Sequence, residues 1–435
     1  MGYVYSKYLI NKKIKNKDVF YNLLLRNYIE LDFDTAKKLK NINNNLDNID
    51  FFINEGILVK KDFSEKNLYY YITNKIKYTN YTLSITDTVT LDCNLECSYC
   101  MRQNTYKSEH IVPQSPEKKI EVWKKLLELL HSEEIVVTFF GGEPSLYPKY
   151  ISSMIERSEK LNLPVKNFNL ISNGVSYSEK MIDVLKSNKI KFVQITIDGP
   201  KEIHNLRRKS ENINNSWDYI INTIKIILEK TTSIIILHSV IDNINFYEGH
   251  SKMLEDLINI FGITALKKKF IFNIGLLSHP DGFCSYTKKN IPSLEKYGKI
   301  YLETLKNILE KNLNVVDFLN VWPCTYNKEG DIVIAPNGDL YNCISGIGID
   351  KFKICTYDEI INKPENFLRK YSQFLENKFT DELCEDCKYL PICNGGCRYN
   401  IYINKAKKDC WKAFHNKVYE ELLSLYFKYK EQVKI

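Results

Sequence analysis

The chain has 435 residues, a formal net charge of +8, and a composition 44% apolar and 13% aromatic, enough for two or three packed units. It opens with no basic stretch leading into an unbroken apolar run, and no segment approaches the ~18 uninterrupted apolar residues of a membrane span. Secretion and membrane spanning are disfavoured, and the expectation is a cytoplasmic protein with no membrane partner, where twelve cysteines call for metals or burial and not for disulfides.

Residues 1–80 hold fourteen Lys/Arg against nine Asp/Glu, which favours an acidic partner and is also what a well-solvated face looks like. Two β segments are expected here, around VYSKYLI and VFYNLLLRNYIELD. Helices follow near DTAKKLKN and DNIDFFINEG, with Gly56 as the stop of the second. The polar, aromatic stretch 65–80 reads as the boundary of this small α+β unit.

From residue 83 short β-rich runs alternate with amphipathic stretches. SITDTVTL precedes PEKKIEVWKKLLELLH, EIVVTFF precedes PKYISSMIERSEKL, FNLIS precedes YSEKMIDVLKS, FVQITID precedes NSWDYIINTIKIILEK, SIIILHSV precedes EGHSKMLEDLINIFG, and KKFIFNIGLL closes the run. Trp123, Leu126, Leu127 and Leu130 recur at intervals of three and four, marking one helix face. Such units predict parallel strands joined by helical crossovers, in a doubly wound sheet or a barrel; six fall short of the eight of a closed (β/α)8 barrel. Either geometry puts chemistry where strands end and loops begin.

Cys93, Cys97 and Cys100 leave the first of these strands. Structural zinc takes four protein ligands, and no fourth is close, since His110 is ten residues away. Three thiolates on a four-iron cluster leave one iron open to a small-molecule ligand. The tail adds Cys324, Cys343, Cys355, Cys384, Cys387, Cys393, Cys397 and Cys410. A segment so rich in cysteine has little room for a conventional core and is expected to be held together by what its thiolates bind.

Cys93-Asn94-Leu95-Glu96-Cys97-Ser98-Tyr99-Cys100 resembles the CxxxCxxC signature of the radical S-adenosylmethionine (SAM) superfamily. The resemblance implies an α/β fold with a partial (β/α)6 barrel. It also implies a [4Fe-4S] cluster on Cys93, Cys97 and Cys100, whose open iron binds SAM, and reductive cleavage to methionine and a 5'-deoxyadenosyl radical. Tyr99 would lie near the adenine. In TFFGGEPSLYP, two glycines after a buried run also suit a plain tight turn. By resemblance Gly141 and Gly142 let backbone approach the methionine moiety, and Glu143 accepts from its amino group. Ser172 and Thr196, at the next two strand ends, would contact the ribose or methionine part. HNLRR resembles a His-Asp-x-x-Arg pattern with Asn205 in place of the acid, and Arg208 would pair with the cofactor carboxylate; a solvated basic cluster is the competing account.

Cys324, thirteen residues, Gly338, four residues and Cys343, followed by C-x2-C-x5-C-x3-C and Cys410, resembles the seven-cysteine SPASM pattern of peptide-modifying radical enzymes. That pattern implies two auxiliary [4Fe-4S] clusters, one on Cys384, Cys387, Cys393 and Cys410, the other on Cys324, Cys343 and Cys397. The second set lacks a fourth ligand unless a distant residue such as Cys284 supplies it. Cys284 and Cys355 otherwise read as buried inert thiols. The resemblance divides the chain into a winged-helix-like leader-recognition domain (1–80), a radical SAM partial barrel (81–318) and a cysteine-rich SPASM domain (319–435). The first unit would receive a peptide leader as an added strand. A winged DNA-binding unit is the alternative, but no Arg/Lys-rich recognition helix is evident, and no nucleic-acid partner is expected.

The implied enzyme is a maturase of a ribosomally made precursor peptide, reduced by a flavodoxin- or ferredoxin-like donor. An open iron next to the peptide favours a cysteine thioether over a carbon–carbon crosslink. A sulfatase-type maturase making formylglycine is the alternative; those relatives carry an aspartate directly after the second SPASM cysteine, where this chain has Ile344. A non-catalytic iron-sulfur carrier is the reading from another class.

Overall fold

The computed structural model describes residues 2–40, 48–79, 81–100, 113–175, 177–245, 247–277, 285–319, 324–376 and 382–434. Cys284 and His110 lie outside them.

The N-terminal segment forms more strands than its two apolar runs announce: β1 (Tyr3–Tyr5), β2 (Leu9–Ile14), β3 (Lys17–Asn22) and β4 (Asn27–Leu31). The longer run is broken at Asn22, whose Oδ1 accepts from the backbone N–H groups of Leu24 and Leu25 at 2.9 and 3.0 Å, an Asx turn inside a leucine stretch. Lys15 and Arg26, both at φ 56°, make the reversals that glycine usually makes. Strands β2, β3 and β4 form an antiparallel sheet in that order, and β5 (Leu58–Lys60) pairs with β1. Gly56 stands at φ 69° after the helix Ile49–Asn54, as its stop position requires. Residues 65–80, expected as the boundary of the N-terminal unit, are mostly helix: Glu65–Tyr78, capped by Ser64 Oγ accepting from Asn67 N.

Six strands then run parallel and adjacent in chain order: β6 (Thr82–Thr90), β7 (Glu134–Gly141), β8 (Val165–Ser172), β9 (Ile190–Thr196), β10 (Ile234–Ile241) and β11 (Phe270–Leu276). Because each strand is laid beside its predecessor in the same direction, right-handed crossovers place the intervening helices on one face. That face is the core: Ile135, Val137, Phe139, Leu170, Val193 and Ile195 are sealed with Trp123, Leu126, Ile151, Met154, Ile220 and Ile224. Leu127 and Leu130, assigned to the same helix face as Trp123, are only half-buried. The alternate strand residues, among them Thr138, Asn169 and Gln194, are half-buried on the opposite face.

Five short strands lengthen this sheet: β12 (Val315–Val316), β13 (Asp331–Ile334), β14 (Leu340–Tyr341), β15 (Lys353–Cys355) and β16 (Val433–Lys434). The order is β15-β14-β13-β6-β7-β8-β9-β10-β11-β12-β16, so the sheet is mixed, eleven-stranded and open at β15 and β16. The cysteine-rich tail enters it through β13, parallel to β6. The junction is stapled by a buried ion pair: Lys119 Nζ lies 2.7 Å from Asp87 Oδ1 on β6 and donates to Ala335 O, just past β13, at 2.8 Å.

The N-terminal segment grips the tail. Lys66 Nζ and Tyr70 OH donate to the Glu385 carboxylate at 2.5 and 3.1 Å, and Lys7 Nζ donates to the Glu385 carbonyl at 2.9 Å. Tyr69 OH donates to Asn394 Oδ1 at 2.9 Å. Among the described residues no helix is long and apolar enough to cross a membrane.

Candidate active site

The strand ends β6 to β10 converge with the tail on one cavity of about 440 Å³, which brings together most of the residues singled out in the sequence. Cys93, Cys97, Tyr99, Cys100, Gly141, Gly142, Ser172, Thr196 and Arg208 line it from the sheet side. Ile344, Ile347, Cys397, Tyr399 and Asn400 close it from the tail. Leu91, Phe140, Ile171, Val240, Leu276 and Leu277 make much of the remaining surface apolar. Among the described lining residues there is no Asp, Glu, His or Lys.

The cysteine loop is held by backbone. Glu96 N donates to Lys209 O at 2.7 Å and Ser98 N to Arg207 O at 2.9 Å, which brings Arg208 to Tyr99. Gly142 N donates to Thr90 O and Glu143 N to Asp92 O, both at 2.7 Å, fastening the end of β7 to the loop leaving β6. Gly141 stands at φ 147°, and a Cβ there would meet Thr90 O at 2.2 Å, so this contact admits only glycine. Asn173 Nδ2 donates to Asn94 Oδ1 at 2.7 Å and reaches Cys93 Sγ at 3.6 Å.

Glu143 is fully buried just behind the cavity lining. Its carboxylate accepts from Ser145 N (3.0 Å), Ser172 Oγ (2.7 Å) and Asn173 N (2.7 Å). Burial raises its pKa in spite of these donors. The Ser145 hydroxyl is a fourth donor, so the protein itself supplies about as many contacts as a carboxylate accepts. Ser172 also accepts from Gly174 N at 3.0 Å, so its hydroxyl ties Glu143 to the turn after β8. Asn205, in the acid's place of the His-Asp-x-x-Arg pattern, is occupied elsewhere, accepting from Trp217 N at 3.0 Å at the start of the next helix.

Sequence reasoning missed the buried charges behind the site. Asp198 and Asp242 follow β9 and β10, and Arg207 ion-pairs with Asp242 at 3.0 Å. Burial would raise the Asp198 pKa, but Arg207 and Arg208 outweigh it and hold the carboxyl below its ordinary value. His204 is pushed down to about 3, by burial first and then by Arg208, and its neutral Nδ1 accepts from Asp198 N at 3.2 Å. Acids at the same point of two successive strands were the available signal.

The tail cysteines lie in two groups of neighbours, with the memberships that the resemblance implied as ligand sets. Cys343 feels Cys324 and Cys397, and its thiol is pushed up to about 12, by burial foremost. Cys393 feels Cys387, Cys410 and Cys384, and burial foremost pushes it up to about 11. In the triplet, burial pushes Cys97 up to about 12; Arg208 opposes this, while Cys100 and Cys93 add to it. Cys355 is buried in β15 and stands apart from all three.

Among the described residues no group of three or more His, Cys, Asp or Glu is disposed to grip a metal ion directly. A four-iron cluster sets its own irons and sulfides between the thiolates, so its ligands stand farther apart than those of a single ion. The donor sets suit such a group: the eleven described cysteines form no disulfide with one another, and neighbouring thiolates disfavour each other's charge, which bound iron would offset. A polar ligand also fits the cavity, since Thr88 Oγ1 and Arg208 Nε, on two lining residues, are buried with no hydrogen-bond partner among the described residues.

Residues 88–257, which hold the triplet and the strand ends that face it, match the model of the Radical SAM superfamily. With that radical SAM domain, the chain is an enzyme, a SAM-dependent oxidoreductase. It is 23% identical over 363 residues to a cysteine-type anaerobic sulfatase-maturating enzyme of Clostridium perfringens (strain 13 / Type A), covering 77% of this chain and 93% of that protein. The fold is similar to that of anSMEcpe solved with bound AdoMet, at TM-score 0.61 and 19% identity, covering 79% of this chain and 97% of that one. It is also similar to that of Streptococcus suis SuiB bound to the precursor peptide SuiA, at TM-score 0.55 and 16% identity, covering 93% and 98%.

Proposed function

We propose that this chain is a maturase that oxidatively crosslinks a ribosomally made precursor peptide, with a cysteine thioether as the favoured product and a carbon–carbon bond as its nearest variant. The observation that carries this reading is the cavity itself: Cys93, Cys97 and Cys100 share it with Cys397, and Ile344 takes the wall position where a sulfatase-type maturase would present its acid.

Cys93, Cys97 and Cys100 would hold a [4Fe-4S] cluster with SAM on its open iron, Cys384, Cys387, Cys393 and Cys410 a second, and Cys324, Cys343 and Cys397 a third. When bound and reduced by a flavodoxin- or ferredoxin-like donor, the first cluster and SAM supply the 5'-deoxyadenosyl radical that takes a hydrogen atom from substrate. Gly141 keeps the β7 turn close to the cysteine loop. Arg208 would set a fixed positive charge against the SAM carboxylate, and Glu143, just behind the lining, a negative charge toward its amino group. The apolar wall of Leu276, Leu277, Ile344 and Ile347 would exclude water and hold a substrate carbon in place, and such positioning selects among otherwise similar C–H bonds. Cys397, across the same cavity, would bring the third cluster within reach of a substrate thiolate.

In this reading residues 1–80 recognise the leader, 81–318 carry the radical chemistry and 319–435 the auxiliary clusters. Strand β4 forms an outer sheet edge, and among the described residues no strand pairs on its far side, which supports leader binding by strand addition. The SuiB complex with its precursor peptide covers nearly all of this chain and supports a peptide partner.

Formylglycine formation is the second reading, and the sulfatase-maturating relative supports it better than it supports a thioether. Tandem mass spectrometry of a co-expressed precursor after thiol alkylation separates the two. Loss of two hydrogens with one cysteine no longer alkylatable is expected. The same loss with all cysteines reactive and no aldehyde means a carbon–carbon or carbon–nitrogen bond, and an aldehyde trapped by hydrazide hands the case to formylglycine.

A further inference from the structure

Behind the cavity, Asp198 and Asp242 are fully buried and Arg207 and Arg208 are 1% and 7% exposed, so two positive and two negative side chains balance out of water. Their arrangement is a chain of contacts with a direction. Asp242 accepts from Arg207 Nη2 at 3.0 Å and from Tyr286 OH at 2.8 Å. The Arg207 guanidinium lies 4.7 Å from the centroid of the Tyr99 ring, a cation–π contact. The Tyr99 phenol donates to Asp198 Oδ2 and accepts from Arg208 Nη1 at 2.7 Å. Arg208 Nη1 is 3.9 Å from the same Asp198 oxygen.

Asp198 is itself held firmly. Its Oδ1 accepts from Val240 N at 3.0 Å on β10, its N–H donates to His204, and its carbonyl accepts from Asn245 Nδ2 at 2.5 Å. One carboxylate oxygen is therefore fixed to the sheet and the other is turned to the phenol. Tyr99 and Arg208 line the cavity, whereas Asp198, Arg207 and Asp242 do not. Tyr99 also sits between Cys97 and Cys100, so whatever fixes its hydroxyl fixes the cysteine loop as well.

We infer that Asp198 is a positioning residue: through the Tyr99 hydroxyl it sets Arg208 and the Cys97–Cys100 loop toward the SAM cavity. A network that served stability alone would not need its junction on a residue between two cluster thiols. The inference rests on the reading of Arg208 as the partner of the SAM carboxylate.

The test uses full-length, anaerobically reconstituted protein, with SAM affinity measured by equilibrium dialysis and the reduced cluster examined by electron paramagnetic resonance with and without SAM. Asp198→Asn and Tyr99→Phe are each expected to keep wild-type iron content, to weaken SAM binding about tenfold or more, and to diminish the spectral change on SAM addition, as loss of a charge-assisted contact predicts. The double variant should be no weaker than the worse single one, because both act through one hydroxyl. Multiplicative losses, or wild-type affinity in Tyr99→Phe, would overturn the inference. Tyr99→Phe keeps the ring under Arg207 and decides the matter even if Asp198→Asn does not fold. Arg208→Gln is the reference: weakened binding there with both other variants normal overturns the positioning role alone, and normal binding there overturns the Arg208 reading and the inference with it.

Discussion

Lys119 Nζ lies 2.7 Å from Asp87 Oδ1 with both side chains fully buried, and the pair joins the first helix of the parallel run, its first strand and the tail strand β13. Tyr150 OH adds a third contact, donating to the other Asp87 oxygen at 3.0 Å. Lys119→Ala leaves a buried carboxylate without its cation and is expected to cost about 3–5 kcal/mol in chemical denaturation. Lys119→Met with Asp87→Leu removes both charges and is expected to recover most of that loss.

Lys77 sets a pH dependence. Its pKa is pushed down to about 8, first by burial and then by Arg398, from an ordinary 10.5. Between these values the unfolded chain binds the proton and the folded chain does not, so the Lys77 contribution makes stability rise with pH across that window. Denaturation midpoints taken between about pH 7.5 and 9.5 should show an upward increment in the wild type that Lys77→Met lacks.

Iron content should follow the three cysteine sets. Reconstituted protein is expected to hold about twelve irons, and replacing Cys93, Cys97 and Cys100 by Ala should remove about four of them together with SAM cleavage. Replacing Cys384, Cys387, Cys393 and Cys410 should remove a like number and leave SAM cleavage measurable. Iron and sulfide quantitation reads both, and an unchanged count in either variant would refute the assignment of that set.

Glu143 belongs to the SAM end of the cavity in the proposed reading. Glu143→Ala should weaken SAM binding about tenfold or more at unchanged iron content, measured by dialysis. Ser172→Ala, which removes a donor to Glu143 Oε1, should do so to a smaller degree.

The six parallel strands were legible because each apolar run and its amphipathic successor has the length of one crossover unit. The grouping of the tail cysteines came from the resemblance of their pattern to a known one, since spacing alone does not say which thiols meet. Strands β12 and β16, two residues each, carry no periodicity to read. The attachment of β13 beside β6 was hidden for another reason: it joins residues about 250 apart. The Asn22 turn was masked by the leucines around it, and the helix Glu65–Tyr78 by its polar and aromatic surface residues. In HNLRR only Arg208 was read as functional. Arg207 acts through Asp242, thirty-five positions away in the chain, a pairing that no local pattern announces.

Glu385, held by Lys66 and Tyr70, lies between Cys384 and Cys387. The anchorage of the N-terminal segment is thus no stiffer than the loop those thiols belong to. In the proposed reading, where these thiols hold a cluster and residues 1–80 the leader, protein short of iron would leave that loop unbraced, and peptide affinities measured on it are expected to fall below those of the replete enzyme. Iron loading should therefore be quantified before any leader titration, and titrations compared only between samples of equal occupancy.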